Sequence, residues 1–245
     1  FIDSGSSTVV TMDCGPTLGD LTATSVRIAC RRAEPGEIVI GLADASGTPI
    51  RRCVLACPAE TDNAGILEIV DLKPATRYLY TVDGASNDSW WFETRPVPDD
   101  ACRIVFGSCA DEKAGSSTVW RRIEADDPSA LVLLGDTPYI DTTDLERQRS
   151  RYRAFARVPA FADLVGHTPL YSTWDDHDFG WNDAGRHYSL KKESKEVFLA
   201  FWEEPFDSPR RQHPGIYTSY LFDGGRQDVH VILLDMRSFR DDLMP

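Results

Sequence analysis

Leu131-Val132-Leu133-Leu134-Gly135-Asp136-Thr137-Pro138-Tyr139 is a run of four apolar residues that breaks at once into glycine, acid, proline and aromatic. Unbroken apolar runs of this length read as short strands covered on both faces. Three further segments repeat the form. Residues 103–106 run into Gly107-Ser108-Cys109, residues 170–174 into Asp175-Asp176-His177-Asp178, and residues 229–234 into Asp235-Met236-Arg237. Between them lie stretches with helical spacing at 117–125, 144–155 and 189–203, the last carrying Val197, Phe198, Phe201 and Trp202 as an apolar stripe. Strands alternating with helices predict βαβ units and a largely parallel sheet in an α/β layered domain.

The chain before residue 95 has a different grammar. Alternation at 25–31, apolar runs at 37–43 and 65–70, and strand-like segments at 70–80 and 90–94 are separated by Gly, Pro and Asp turns. Short strands at this spacing predict an all-β sandwich. The leucine–proline–threonine–tyrosine turn at Leu72, Pro74, Thr76 and Tyr78, closed by Phe92-Glu93-Thr94, resembles a fibronectin type III-like module. Arg95-Pro96-Val97-Pro98-Asp99-Asp100 suits a short extended linker, which divides the chain into 1–97 and 98–245.

Composition narrows the class. The chain has 245 residues, 42% hydrophobic and 27% charged, as in a globular protein. No run of about 18 apolar residues is present to span a bilayer. Thirty-nine acids against 26 basic residues give a net charge of −13, which argues against a nucleic-acid or anionic-membrane partner. Six cysteines, at 14, 30, 53, 57, 102 and 109, include no Cys-x-x-Cys pair, so a zinc knuckle is not expected. Cys14, Cys30, Cys53 and Cys57 permit three disulfide pairings or none.

The strand ends carry the chemistry. In open α/β sheets ligands bind beyond the carboxyl ends of the strands, where these residues would converge. Asp136 and Asp176 are hard oxygen ligands, and one of them could bridge two cations. Cys109 as thiolate and Tyr139 as phenolate favour a more Lewis-acidic transition metal such as iron. Three carboxylates around His177 repel one another unless a cation or fixed hydrogen bonds compensate. His177 could then protonate a leaving oxygen or bond a phosphate oxygen. Asn182 offers a neutral oxygen ligand.

Together, Phe106-Gly107-Ser108-Cys109, Leu134-Gly135-Asp136-Thr137-Pro138-Tyr139, Trp174-Asp175-Asp176-His177-Asp178 and Leu233-Leu234-Asp235-Met236-Arg237-Ser238-Phe239-Arg240 resemble the PhoD-like alkaline phosphatase/phosphodiesterase family. That family belongs to the calcineurin-like metallophosphoesterases. The resemblance implies an N-terminal sandwich followed by a metallophosphoesterase domain, with iron (Fe3+) and calcium hydrolysing phosphate mono- and diesters. By motif position Cys109, Asp136 and Tyr139 match iron ligands, Asp136 also bridges to calcium, and Asp176 and Asn182 match calcium ligands. His177 matches the histidine that aids the leaving group. Asp235 and Arg237 match an Asp-x-Arg segment expected to position structure or substrate. The substrate would be a small-molecule or lipid phosphoester, and the location periplasmic or secreted.

One departure stands out. These enzymes supply further ligands from a later Ser-Gly-Asp-x-His-type segment, and none occurs before Pro245. A C-terminally incomplete catalytic domain is therefore expected, and His167, His187, His213 and His230 are not in a context to replace those ligands. Two rival readings remain. A calcium-binding adhesion module would use the sandwich but leave Cys109 and Tyr139 without a role. A carboxylate-pair glycoside hydrolase would need no metal.

Overall fold

The computed structural model describes residues 12–95, 102–202, 204–222 and 227–241. Its first part contains β1 (Met12–Gly19), β2 (Val26–Arg32), β3 (Gly36–Asp44), β4 (Pro49–Cys57), β5 (Ala64–Ile69), β6 (Arg77–Val82) and β7 (Trp91–Glu93). They form two antiparallel sheets, ordered β1-β2-β5 and β4-β3-β6-β7. Every second residue points inward, as the pleat requires. Val26, Ile28 and Cys30 of one sheet and Ile38, Ile40, Leu42, Tyr80 and Val82 of the other are buried in one shared core. The turn before β6 is tied down by the Tyr78 hydroxyl, which accepts from the Lys73 amide at 2.9 Å, and by Thr94, whose hydroxyl donates to the Lys73 carbonyl at 2.5 Å.

Two of these strands have no counterpart in the sequence reading. β1 carries Gly15-Pro16 and two register shifts, which mask its periodicity. β4 is an edge strand with Arg51 and Arg52 at its centre, a charge pattern that protects an edge but hides a strand.

The second part holds a three-stranded parallel sheet, ordered β10-β9-β8, from β8 (Ile104–Gly107), β9 (Ala130–Leu133) and β10 (Leu170–Ser172). All four residues of central β9 are buried, which explains its unbroken apolar run. The helices are α1 (Ala114–Ala125), α2 (Leu145–Ala156), α3 (Pro159–Val165), α4 (Asp176–Phe179), α5 (Lys191–Phe201) and α6 (Pro209–Gln212). Asp144 caps α2 by accepting from the Glu146 and Arg147 amides at 3.0 and 3.1 Å. In α5, Val197 and Phe198 are buried and Phe201 packs against the same cluster, as the apolar stripe predicts.

The fourth apolar run corrects the sequence reading. It forms β12 (Val229–Leu233), which pairs antiparallel with β11 (Thr218–Phe222) in a separate two-stranded sheet. Its partner was not recognised because Thr218-Ser219-Tyr220 lacks a continuous apolar signal. β12 still contributes Val231 and Leu233 to the core shared with Ala130, Val132 and Tyr171.

The antiparallel sheets dock on the α/β part. The Tyr80 hydroxyl donates to the Gly166 carbonyl at 2.5 Å, and Arg31 reaches the Ala200 carbonyl at 3.2 Å. Arg153 of α2 bonds Asp62 at 3.1 Å. The linker expected at 95–100 lies outside the described residues beyond Arg95.

Candidate metal centre

Each strand of the parallel sheet delivers a polar turn to the same end. After β9, Gly135 takes φ +102°, and a Cβ there would sit 2.2 Å from the Asp175 amide nitrogen. Only glycine allows the two turns to approach so closely. Cys109 and Asp136 both adopt left-handed backbone, at φ 58° and 54°. The two loops are laced together: the Cys109 amide donates to the Gly135 carbonyl at 3.2 Å and the Ala110 amide to the Asp136 carbonyl at 3.1 Å.

Oxygen or nitrogen atoms of Asp136, Asp176 and His177 all lie within 4.8 Å of one another. Both carboxylates are buried. Burial, with Asp176 and Asp175 adding their charges, pushes the Asp136 carboxyl above its ordinary value. Burial would raise Asp176 too, but the Asp183 amide at 2.6 Å and the Arg237 guanidinium at 3.2 Å outweigh it and hold that carboxyl low. Burial opposes the charged form of His177, yet a 2.6 Å bond from Nδ1 to Asp141 raises its pKa overall.

Cys109 and Tyr139 flank this group. The Cys109 thiol is exposed and lies 3.6 Å from Asp136 Oδ2. The Tyr139 ring packs on His177 with centroids 4.5 Å apart. A hydrogen bond with Cys109, followed by burial and neighbouring charge, pushes the Tyr139 phenol up to about 12. Thiol, phenol, two carboxylates and an imidazole thus share one face. Burial and neighbouring charge favour the neutral forms of Asp136 and Tyr139, and a cation would favour their charged forms. The donor set therefore fits a metal.

Two sequence-predicted residues sit differently. Asn182 is exposed, and its amide donates to Asp183 at 2.8 Å. Arg237 is buried, pairs with Asp175 through Nε and with Asp176 through Nη2, and leaves Nη1 without a hydrogen-bond partner.

Fixed partners meet part of the repulsion expected around His177, while Asp178 Oδ2 is buried without a hydrogen-bond partner. Asp175 meets Arg237, and Asp178 is buried with Oδ1 accepting from the Asp175 amide at 2.6 Å in a capping box at the start of α4. Burial holds the Asp178 carboxyl well above its ordinary range. Asp235 accepts from Trp174 Nε1 at 2.9 Å, the Arg237 and Ser238 amides at 3.0 and 2.9 Å, and the Ile216 amide at 2.8 Å. Its carboxylate joins the end of β10 to the segment after β12. Asp141, Glu112 and Arg151 were missed by sequence reasoning. Asp141 lies five residues beyond Asp136 in an exposed loop, and only its contact with His177 marks it.

No family model matches the sequence, and no curated protein does. Among solved structures, PhoD superposes with a TM-score of 0.75 over 96% of this chain at 18% identity, and 54% of PhoD is covered. The purple acid phosphatase PPD1 from seeds of yellow lupin (Lupinus luteus) gives a TM-score of 0.59 over 84% of this chain at 14% identity, with 42% of that protein covered. The chain thus shares its fold with PhoD and the lupin phosphatase. The nearer likeness is to PhoD, and the chain spans about half of PhoD's length.

Proposed function

We propose that this chain belongs to a metal-dependent hydrolase of phosphate mono- and/or diesters, of the PhoD-like alkaline phosphatase/phosphodiesterase kind. The observation that carries the reading is the convergence of Asp136, Asp176 and His177 within 4.8 Å, with the Cys109 thiol beside Asp136. Likeness of fold to PhoD and to the lupin phosphatase supports it.

In this reading Cys109, Asp136 and Tyr139 would hold iron, and Asp136, Asp176 and Asn182 would hold calcium. Asn182 would have to turn from Asp183 to take part. Bound ions would supply Lewis acidity, activating water near neutral pH and drawing charge from the phosphate. His177 would protonate or hydrogen-bond the leaving oxygen through Nε2, a role supported by the bond of its Nδ1 to Asp141. Arg237 restrains Asp175 and Asp176, and its cationic charge favours an anionic ester. The first antiparallel region would be a fibronectin type III-like module with residues 1–97 as its extent, and the catalytic part would occupy 98–245. A small-molecule or lipid phosphoester is the expected substrate class, and a periplasmic or secreted location follows from the family resemblance. Among the described residues no helix is long and apolar enough to cross a membrane.

A calcium-binding adhesion module is disfavoured, because it gives no role to the Cys109 thiol 3.6 Å from Asp136 or to the Tyr139 phenol beside His177. The test is Asp136→Ala. Hydrolysis of p-nitrophenyl phosphate and bis-p-nitrophenyl phosphate should fall at least about a hundredfold. Retained turnover would reject the assignment.

A further inference from the structure

A cleft is lined by Asp111, Glu112, Lys113, Tyr139, Arg151 and Ala154. Arg151 projects into it from the middle of α2 and makes a forked contact: Nη1 lies 2.6 Å from Glu112 Oε1, and Nη2 lies 2.8 Å from Glu112 Oε2. The same guanidinium donates from Nε and Nη2 to the Tyr139 carbonyl at 3.3 and 3.2 Å. Glu112 is three residues beyond Cys109, on the loop whose amides bond the Gly135 and Asp136 carbonyls. One side chain therefore joins three separate segments: the loop of Cys109, the turn of Asp136 and Tyr139, and helix α2.

We infer that Arg151 and Glu112 form a positioning clamp that sets the Cys109 thiol and the Tyr139 phenol against Asp136 so that the three face one cation. The inference rests on the metal-site reading above and extends it to residues that touch no metal. Its physical basis is the planar fork of arginine, which satisfies a carboxylate with two parallel bonds while its remaining face serves a carbonyl. Both partners are about a quarter to a third exposed, at 35% for Arg151 and 23% for Glu112. Solvent screening keeps the contribution of so exposed a pair to folding modest, even with the fork geometry. Its consequence lies in the loops, both of which hold left-handed residues that need outside support. Outer partners of this kind typically change metal affinity by about ten- to a hundredfold.

Cobalt(II) provides the readout, through a thiolate-to-cobalt absorption that Cys109→Ser should remove. Titration of the metal-free full-length protein gives the apparent Kd. Arg151→Gln and Glu112→Gln should each raise it about tenfold, with the thermal midpoint of the metal-free protein unchanged. Arg151→Lys should fail to restore affinity, because an ammonium keeps the charge but loses the fork. The double variant should be no weaker than either single one. Wild-type affinity in both Gln variants would overturn the clamp while leaving the metal reading intact. An affinity loss matched by a fall in the metal-free midpoint would overturn it in favour of a plain folding role. Absence of any Cys109-dependent absorption in the unmodified full-length protein would overturn the metal reading and the clamp with it.

Discussion

At the scale of single residues, two positions show how the site end is held. Asp235 accepts four hydrogen bonds from three different segments. Burial opposes its charge, but those donors hold its carboxyl below the usual range. A depressed folded pKa means stability that is present above the unfolded pKa and lost as pH falls through the folded one. Asp235→Asn should therefore cost about 3 kcal/mol near neutral pH, with the gap to the wild type closing as the pH is lowered below about 4. Urea unfolding across that range measures it, and a gap independent of pH would contradict the assignment. At Gly135 an alanine would bring a Cβ to 2.2 Å from the Asp175 nitrogen at φ +102°. Gly135→Ala should cost about 3 kcal/mol or more and loosen the approach of Asp136 to Asp176, visible as a lower thermal midpoint.

At the scale of elements, what could be read from sequence was what is written locally. β9, its Gly135-Asp136 break and the capped α2 each announce themselves within ten residues or so, because apolar runs, glycine turns and Asp caps act over short range. The helix α5 was legible for the same reason. Phe198, fully buried against Trp174, Tyr152 and Trp202, should cost about 3–5 kcal/mol on replacement by alanine. Denaturant titration is the check. The β11–β12 pairing was not legible, since antiparallel partnership depends on Thr218–Phe222, whose outer face mixes Ser219 with exposed Leu221. Nor were Asp141, Glu112 and Arg151, which are ordinary surface residues until the fold brings Asp141 to His177 and Arg151 to Tyr139.

At the scale of the whole molecule, the antiparallel region and the α/β region are joined by polar bonds in partly dry surroundings. The buried Tyr80 hydroxyl is the clearest, donating across the junction to Gly166. Tyr80→Phe leaves that carbonyl unmatched and should lower stability by about 1–3 kcal/mol, read by thermal unfolding. The site itself was half legible. Cys109, Asp136, Tyr139, Asp176 and His177 stand at strand ends in a pattern visible in sequence, and the fold draws them together. Asn182 shows the limit, because its motif position does not specify the rotamer that turns it towards Asp183.

The central claim is metal-dependent phosphoester hydrolysis at this face. The most direct measurement is turnover of p-nitrophenyl phosphate and bis-p-nitrophenyl phosphate before and after exhaustive chelation, with metal content determined in parallel. The expected result is iron and calcium in the active protein, loss of turnover on chelation, and recovery when both ions are returned. Full activity in a metal-free protein would contradict the account.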